Sequence, residues 1–120
     1  MDLVLSFNNS ANLLTDARQI IDKTKELAFR SVNVAMLQRN WYLGKRISEE
    51  ILQGEDRAEY GSQVILQLSK ELTNIYGKGF TKSYLYNFVR FYKTFPNIFQ
   101  SPIGQSKLLS WTHYNLLLDV

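Results

Sequence analysis

Apolar residues recur at intervals of three and four from Leu13 onward, the spacing that places side chains on one face of a helix. Leu13, Ala17, Ile20, Thr24, Leu27, Ser31 and Val34 form one stripe, and Val34, Leu37, Trp41, Gly44, Ile47 and Ile51 continue an apolar face. No proline occurs between Leu13 and Leu52, and Gly44 is the sole glycine there. The pattern therefore predicts a helix that, unbroken, would run ~60 Å. A compact chain of this length has a radius of gyration of only ~14 Å, so the helix is expected to break, bend or project. Thr24, Ser31 and Gln38 interrupt the stripe at heptad spacing, which argues against a dry coiled-coil seam and for ordinary globular packing. Gly44 marks either a close helix approach or a bend.

Gly54 stands where this period stops, and Glu55-Asp56-Arg57 reads as a connection. Val64, Ile65, Leu68, Leu72 and Ile75 then write a second helix, ended by Gly77 in the position that favours a left-handed residue. Thr81 caps a third helix, with Phe80 and Leu85 as a hydrophobic staple. Leu85, Phe88, Val89, Tyr92 and Phe95 form its buried face, Tyr84, Tyr86 and Phe91 are left without an obvious core position, and Pro96 stops it. Residues 97–109, with Pro102 and Gly104, read as a long loop before Ser110 caps a last helix, stapled by Leu109 and Tyr114. No segment alternates as a strand would. The expected fold is all-α without substantial sheet: a loose leader over residues 1–12, then one helical domain over 13–120 containing a helix-turn-helix-like unit.

Composition narrows the function classes. A chain of 120 residues that is 45% apolar builds one core and leaves no room for a second domain. It has no cysteine, which removes disulfides, thiolate catalysis and cysteine-based metal sites, and its lone histidine, His113, cannot anchor a histidine-rich one. The N-terminus lacks a signal-peptide pattern, because Leu3-Val4-Leu5 is too short an apolar run and no basic segment precedes it. No window approaches a membrane span, and a cytoplasmic location is expected.

The net charge of +3 matters less than its placement. Residues 1–71 hold ten acids and nine bases, whereas Leu72 to Leu118 contain no carboxylate but Lys78, Lys82, Arg90, Lys93 and Lys107. This asymmetry suits a surface that meets a polyanion, although a solvated basic face gives the same count.

The strongest local signal is the pair of helices joined by Gly77-Lys78-Gly79-Phe80-Thr81, a short glycine-containing turn. Opposite its core face the third helix carries Ser83, Tyr86, Asn87, Arg90 and Lys93, with Lys82 near its start. Arg and Lys hold guanine or phosphate, Asn pairs with adenine, and Ser and Tyr hydroxyls reach phosphates. Duplex DNA is thus the expected partner of Lys78, Lys82, Ser83, Tyr86, Asn87, Arg90 and Lys93, though purely structural bundles use the same geometry. Nearby aromatics could stack single-stranded bases, but their spacing mostly fits a core.

Other groups read as structural. Glu49, Glu50, Glu55, Asp56 and Glu59 lack the pattern of a calcium loop and suit a solvated turn. His113 has no nucleophile context and fits a cap or packing position. The segment Gly77 to Ser83 lacks P-loop spacing and follows a helix instead of a strand. No metal, cofactor or catalytic residue is expected.

Several segments in order carry a resemblance: Arg30-Ser31-Val32-Asn33, Trp41-Tyr42-Leu43-Gly44-Lys45-Arg46-Ile47, Arg57-Ala58-Glu59-Tyr60-Gly61, Leu68-Ser69-Lys70-Glu71-Leu72, Tyr76-Gly77-Lys78-Gly79-Phe80, Phe91-Tyr92 with Phe95-Pro96, and Leu109-Ser110-Trp111-Thr112-His113-Tyr114. From about Leu14 onward the chain resembles the N-terminal domain of the YhcG-type family of bacterial PD-(D/E)XK nucleases. The resemblance implies a helical domain that precedes a nuclease module and binds DNA or supports assembly. Nuclease chemistry of that type needs a lysine two places after an acid to help activate water beside a metal, and none of the eleven acids has one. The chain also ends at Asp119-Val120 without a helix stop signal. The expectation is a non-catalytic accessory domain that positions the parent's C-terminal nuclease module on DNA. The alternative is a protein-interaction or dimerisation domain, with the first helix supplying a homodimer contact.

Overall fold

A computed structural model describes residues 5–54, 57–99 and 108–118. Four helices occur among them: α1 (Leu13–Leu52), α2 (Arg57–Tyr76), α3 (Lys82–Thr94) and α4 (Trp111–Leu118). There is no strand among the described residues. The segment around Pro102 and Gly104, Lys107, the acids Glu55 and Asp56, the run Leu3-Val4, and Asp119-Val120 lie outside the described residues.

Local chemistry sets the helix starts. Asn12 caps α1 by accepting from the Thr15 backbone N–H at 2.9 Å. Its first turn is also tied to the leader, because Ser10 donates from N and Oγ to the Asp16 carboxylate, the latter at 2.6 Å. Thr81 caps α3 through Tyr84 N, and Ser110 Oγ accepts from His113 N at the start of α4. His113 thus sits in a cap, its Nδ1 2.8 Å from the same Ser110 oxygen.

α1 neither breaks nor stops: it is one helix, and it projects. The longest dimension of the molecule is 68 Å and its radius of gyration 19.0 Å, well above the ~14 Å of a compact chain. The C-terminal half of α1 buries Leu37, Asn40, Trp41, Gly44, Ile47 and Ser48 against the other helices. In the N-terminal half the expected stripe is not a core face: Leu13 is 85% exposed, Ile20, Thr24 and Ser31 are exposed too, and so are the neighbouring Leu14, Ile21 and Val32. The reason is reach. Glu26, five full turns before Gly44 and so on the same side of the helix, is exposed, as are Phe29 and Arg30, because no described helix runs alongside this half of α1. Ordinary globular packing, expected for the first stripe, therefore holds only for the second.

Two clusters meet around α3. In one, Leu37, Trp41, Phe91, Ile98, Tyr114 and Leu118 pack together. In the other, Ile47, Ile65, Leu85, Phe88 and Val89 do, and half-buried Trp111 touches both. Phe91, expected to lack a core position, is 0% exposed. Its ring lies 5.3 Å from Trp111 and 5.0 Å from Tyr114, so α4 covers a side of α3 that a single buried stripe would leave open. Ile75 departs in the opposite sense. It shares the helical repeat of the second helix yet is 69% exposed, because α2 outruns its partners there.

Gly44 marks a close approach and no bend. A Cβ on it would sit 2.0 Å from the carbonyl oxygen of Phe88, so glycine is what lets α1 and α3 touch backbone to backbone. Trp41 fastens the same pair of elements by donating its indole N–H to the Phe95 carbonyl at 2.9 Å. Asn33 ties α1 to the start of α4: its amide donates to Leu109 O at 3.0 Å and accepts from Trp111 N at 3.1 Å.

Candidate nucleic-acid interface

The turn between α2 and α3 is built as its glycines suggest. Gly77 has φ +83° and Gly79 φ +107°, both in the region that a side chain disfavours. The Gly77 N–H closes the last turn of α2 on Thr73 O at 2.9 Å. Ser69, buried on α2, donates its hydroxyl to the Phe80 carbonyl at 2.8 Å, which pins the far side of the turn and sets where α3 begins.

α3 then presents the sequence-derived candidates in two groups. Lys82, Tyr86 and Lys93 lie within ~40° of one another around the helix axis, on an edge that remains exposed. Ser83 is exposed beside them, and Lys78 is exposed in the turn. No carboxylate pairs with Lys78, Lys82 or Lys93 among the described residues. Half-buried Asn87 hydrogen-bonds to α4, and so does Arg90, which is still exposed one turn after Tyr86. The Asn87 amide donates to Asn115 Oδ1 at 3.3 Å, and the Arg90 guanidinium donates to the Leu118 carbonyl near the end of α4. The structure thus brings Lys78, Lys82, Ser83, Tyr86 and Lys93 to open surface and gives Asn87 and Arg90 partners within the fold.

The acids of the first half are arranged differently. Glu49 pairs with Lys45 at 3.2 Å and Glu50 with Arg46 at 3.6 Å, both one helical turn apart on exposed surface. No group of three or more His, Asp or Glu side chains gathers among the described residues. No described helix is long and apolar enough to cross a membrane.

One cation escaped the sequence reading. Arg39 lies on α1, outside the acid-free half of the chain, so the charge count passed over it. Its guanidinium stacks over the rings of Phe80 and Phe88, with centroids at 5.5 and 5.9 Å, and donates twice to Asn40 Oδ1 at 2.9 and 3.0 Å. No sequence spacing signals this, since the rings that hold it come from the turn and from α3.

Comparison with known proteins adds context to this geometry. The family model described as DUF1016 N-terminal domain matches residues 16–120. A protein of Escherichia coli strain K12, described as "Putative nuclease YhcG", is 37% identical over 79 residues, which are 66% of this chain and 21% of that protein. The chain therefore matches about a fifth of the length of this relative. No solved structure matches it.

Proposed function

The chain belongs to the DUF1016 N-terminal domain family, and from that membership we propose that it is the DNA-engaging accessory domain of a nuclease, without catalytic groups of its own. In this reading α2, the glycine turn and α3 act as a helix-turn-helix-like unit. Lys82, Tyr86 and Lys93 meet duplex DNA along the exposed edge of α3, with Ser83 and Lys78 reaching flanking phosphates. Asn87 and Arg90 serve by holding α4 against α3. A separate PD-(D/E)XK-type module of the parent protein supplies the cleavage chemistry.

The observation that carries this reading is the row of exposed amines at Lys78, Lys82 and Lys93, which no described carboxylate neutralises. Counterion release makes such contacts strongly salt-dependent. Titration of a blunt duplex at two salt concentrations tests it. The Lys82→Ala, Lys93→Ala double variant should bind more weakly and reduce the salt slope by about two, one for each lost phosphate contact. Unchanged duplex affinity at low salt would remove α3 from the interface.

A second reading, dimerisation, is favoured by the outward face of α1. Leu13, Leu14, Ile20, Ile21 and Val32 are exposed along ~30 Å of rigid helix. Residues 13–34 carry three acids and four bases, a nearly balanced surface that a second copy of the same helix can approach without strong repulsion. The two readings are compatible, because this face and the exposed edge of α3 involve different residues.

A further inference from the structure

At the junction of α1, α2 and the glycine turn lies a cleft of about 520 Å³ lined by Arg39, Leu43, Leu72, Tyr76 and Phe80. It exists because α2 runs past its support. Tyr76 stands eleven residues after buried Ile65, three turns along the same face, yet it is 69% exposed. Its ring centroid is 5.9 Å from that of Phe80, and the two are tilted by 53°. The wall of Phe80 is in turn held by the Ser69 hydrogen bond and by the Arg39 guanidinium stacked on it.

The chemistry of the lining selects an occupant. Two aromatic rings and two leucines offer a flat apolar body its contact area, and Arg39 adds a cation that pairs with no carboxylate among the described residues. Lys78 follows Tyr76 by two residues in the exposed turn, and the chain from Leu72 to Leu118 contains no acid. A ligand that joins an aromatic plane to a negative charge matches both walls, whereas an apolar helix would leave the guanidinium without a counter-charge. We propose that the cleft takes an unpaired nucleotide, its base against Tyr76 and Phe80 and its phosphate toward Arg39. This rests on the reading that the domain engages DNA, and deepens it: the domain distinguishes a duplex with a single-stranded end or flap from an uninterrupted one.

The test compares a blunt duplex with the same duplex bearing a short thymidine overhang that contains a fluorescent adenine analogue. Wild-type protein should bind the overhang substrate at least ~5-fold more tightly, the lower bound for one base stacked on aromatic side chains, and alter the analogue's fluorescence. Tyr76→Ala, at an exposed position, should abolish the preference and the fluorescence change while leaving the melting temperature and blunt-duplex affinity unchanged. Arg39→Gln should weaken the preference with steeper loss at low salt than at high salt. Equal affinity for the two substrates, or a preference that survives Tyr76→Ala, overturns the proposal. The failures separate cleanly: blunt-duplex binding that is lost in the Lys82/Lys93 double variant with no overhang preference keeps the α3 reading and removes the cleft. Tyr76-dependent binding of the overhang without blunt-duplex binding does the reverse. A concentration-dependent mass that Tyr76→Ala abolishes would show the cleft to be a protein contact and overturn its assignment to a nucleotide.

Discussion

At the scale of single residues the fold depends on positions where two backbones or two rings leave no slack. Gly44→Ala would drive a methyl group into the Phe88 carbonyl. Backbone atoms cannot rotate away as a side chain can, so the expected loss is about 2 kcal/mol or more, read as a lower urea midpoint at unchanged slope. Gly77→Ala is a milder case. Nothing lies within 4 Å of the added methyl group, and only the positive φ opposes it, for roughly 1–2 kcal/mol. Phe91→Ala should cost ~3–5 kcal/mol, while Tyr84→Ala, on exposed surface, should cost well under ~1 kcal/mol. The comparison checks the one aromatic whose position the sequence period misjudged. That period assumes a helix with a single buried face, and α3 is covered by α1 on one side and by α4 on another.

At the scale of elements, the helices were legible because each carries its own punctuation. The caps at Thr81 and Ser110, the glycine after α2 and the proline after α3 are local signals, and the structure uses them as local chemistry requires. What the pattern could not convey is which part of α1 has a partner. Periodicity marks an apolar stripe without saying what lies opposite, so Leu13 and Ile20 read as core although no described helix packs against that half of α1. The candidate site was legible to the same extent: the exposed lysines follow from the wheel, but the engagement of Asn87 and Arg90 requires α4, whose approach is set by contacts distant in sequence. This yields a prediction for the α3–α4 pair. Arg90→Ala removes a cation from the carbonyl end of α4 and should raise amide exchange in α4 and lower the melting temperature slightly, while Lys93→Ala should change neither.

At the scale of the whole molecule the projecting half of α1 dominates the shape. Its exposed face should associate in a concentration-dependent way if the dimer reading holds. Ile21→Glu with Val32→Glu should then lower the mass seen by sedimentation equilibrium while leaving helicity and the melting temperature intact, since both side chains are exposed in the monomer. An unchanged mass in a demonstrated dimer would place the contact on another surface.

The unbroken course of α1 also makes it a lever. The joint nearest its free end is Asn33, which is tied to Leu109 and Trp111, and its tip at Leu13 is ~30 Å away along the rod. A tilt of about 10° at that joint sweeps the tip through roughly 5 Å. Whatever grips the far end of the rod therefore acts with mechanical advantage on the contact between α1 and the start of α4. A load at the tip and the seating of α4 on α3 would be coupled through one stiff beam.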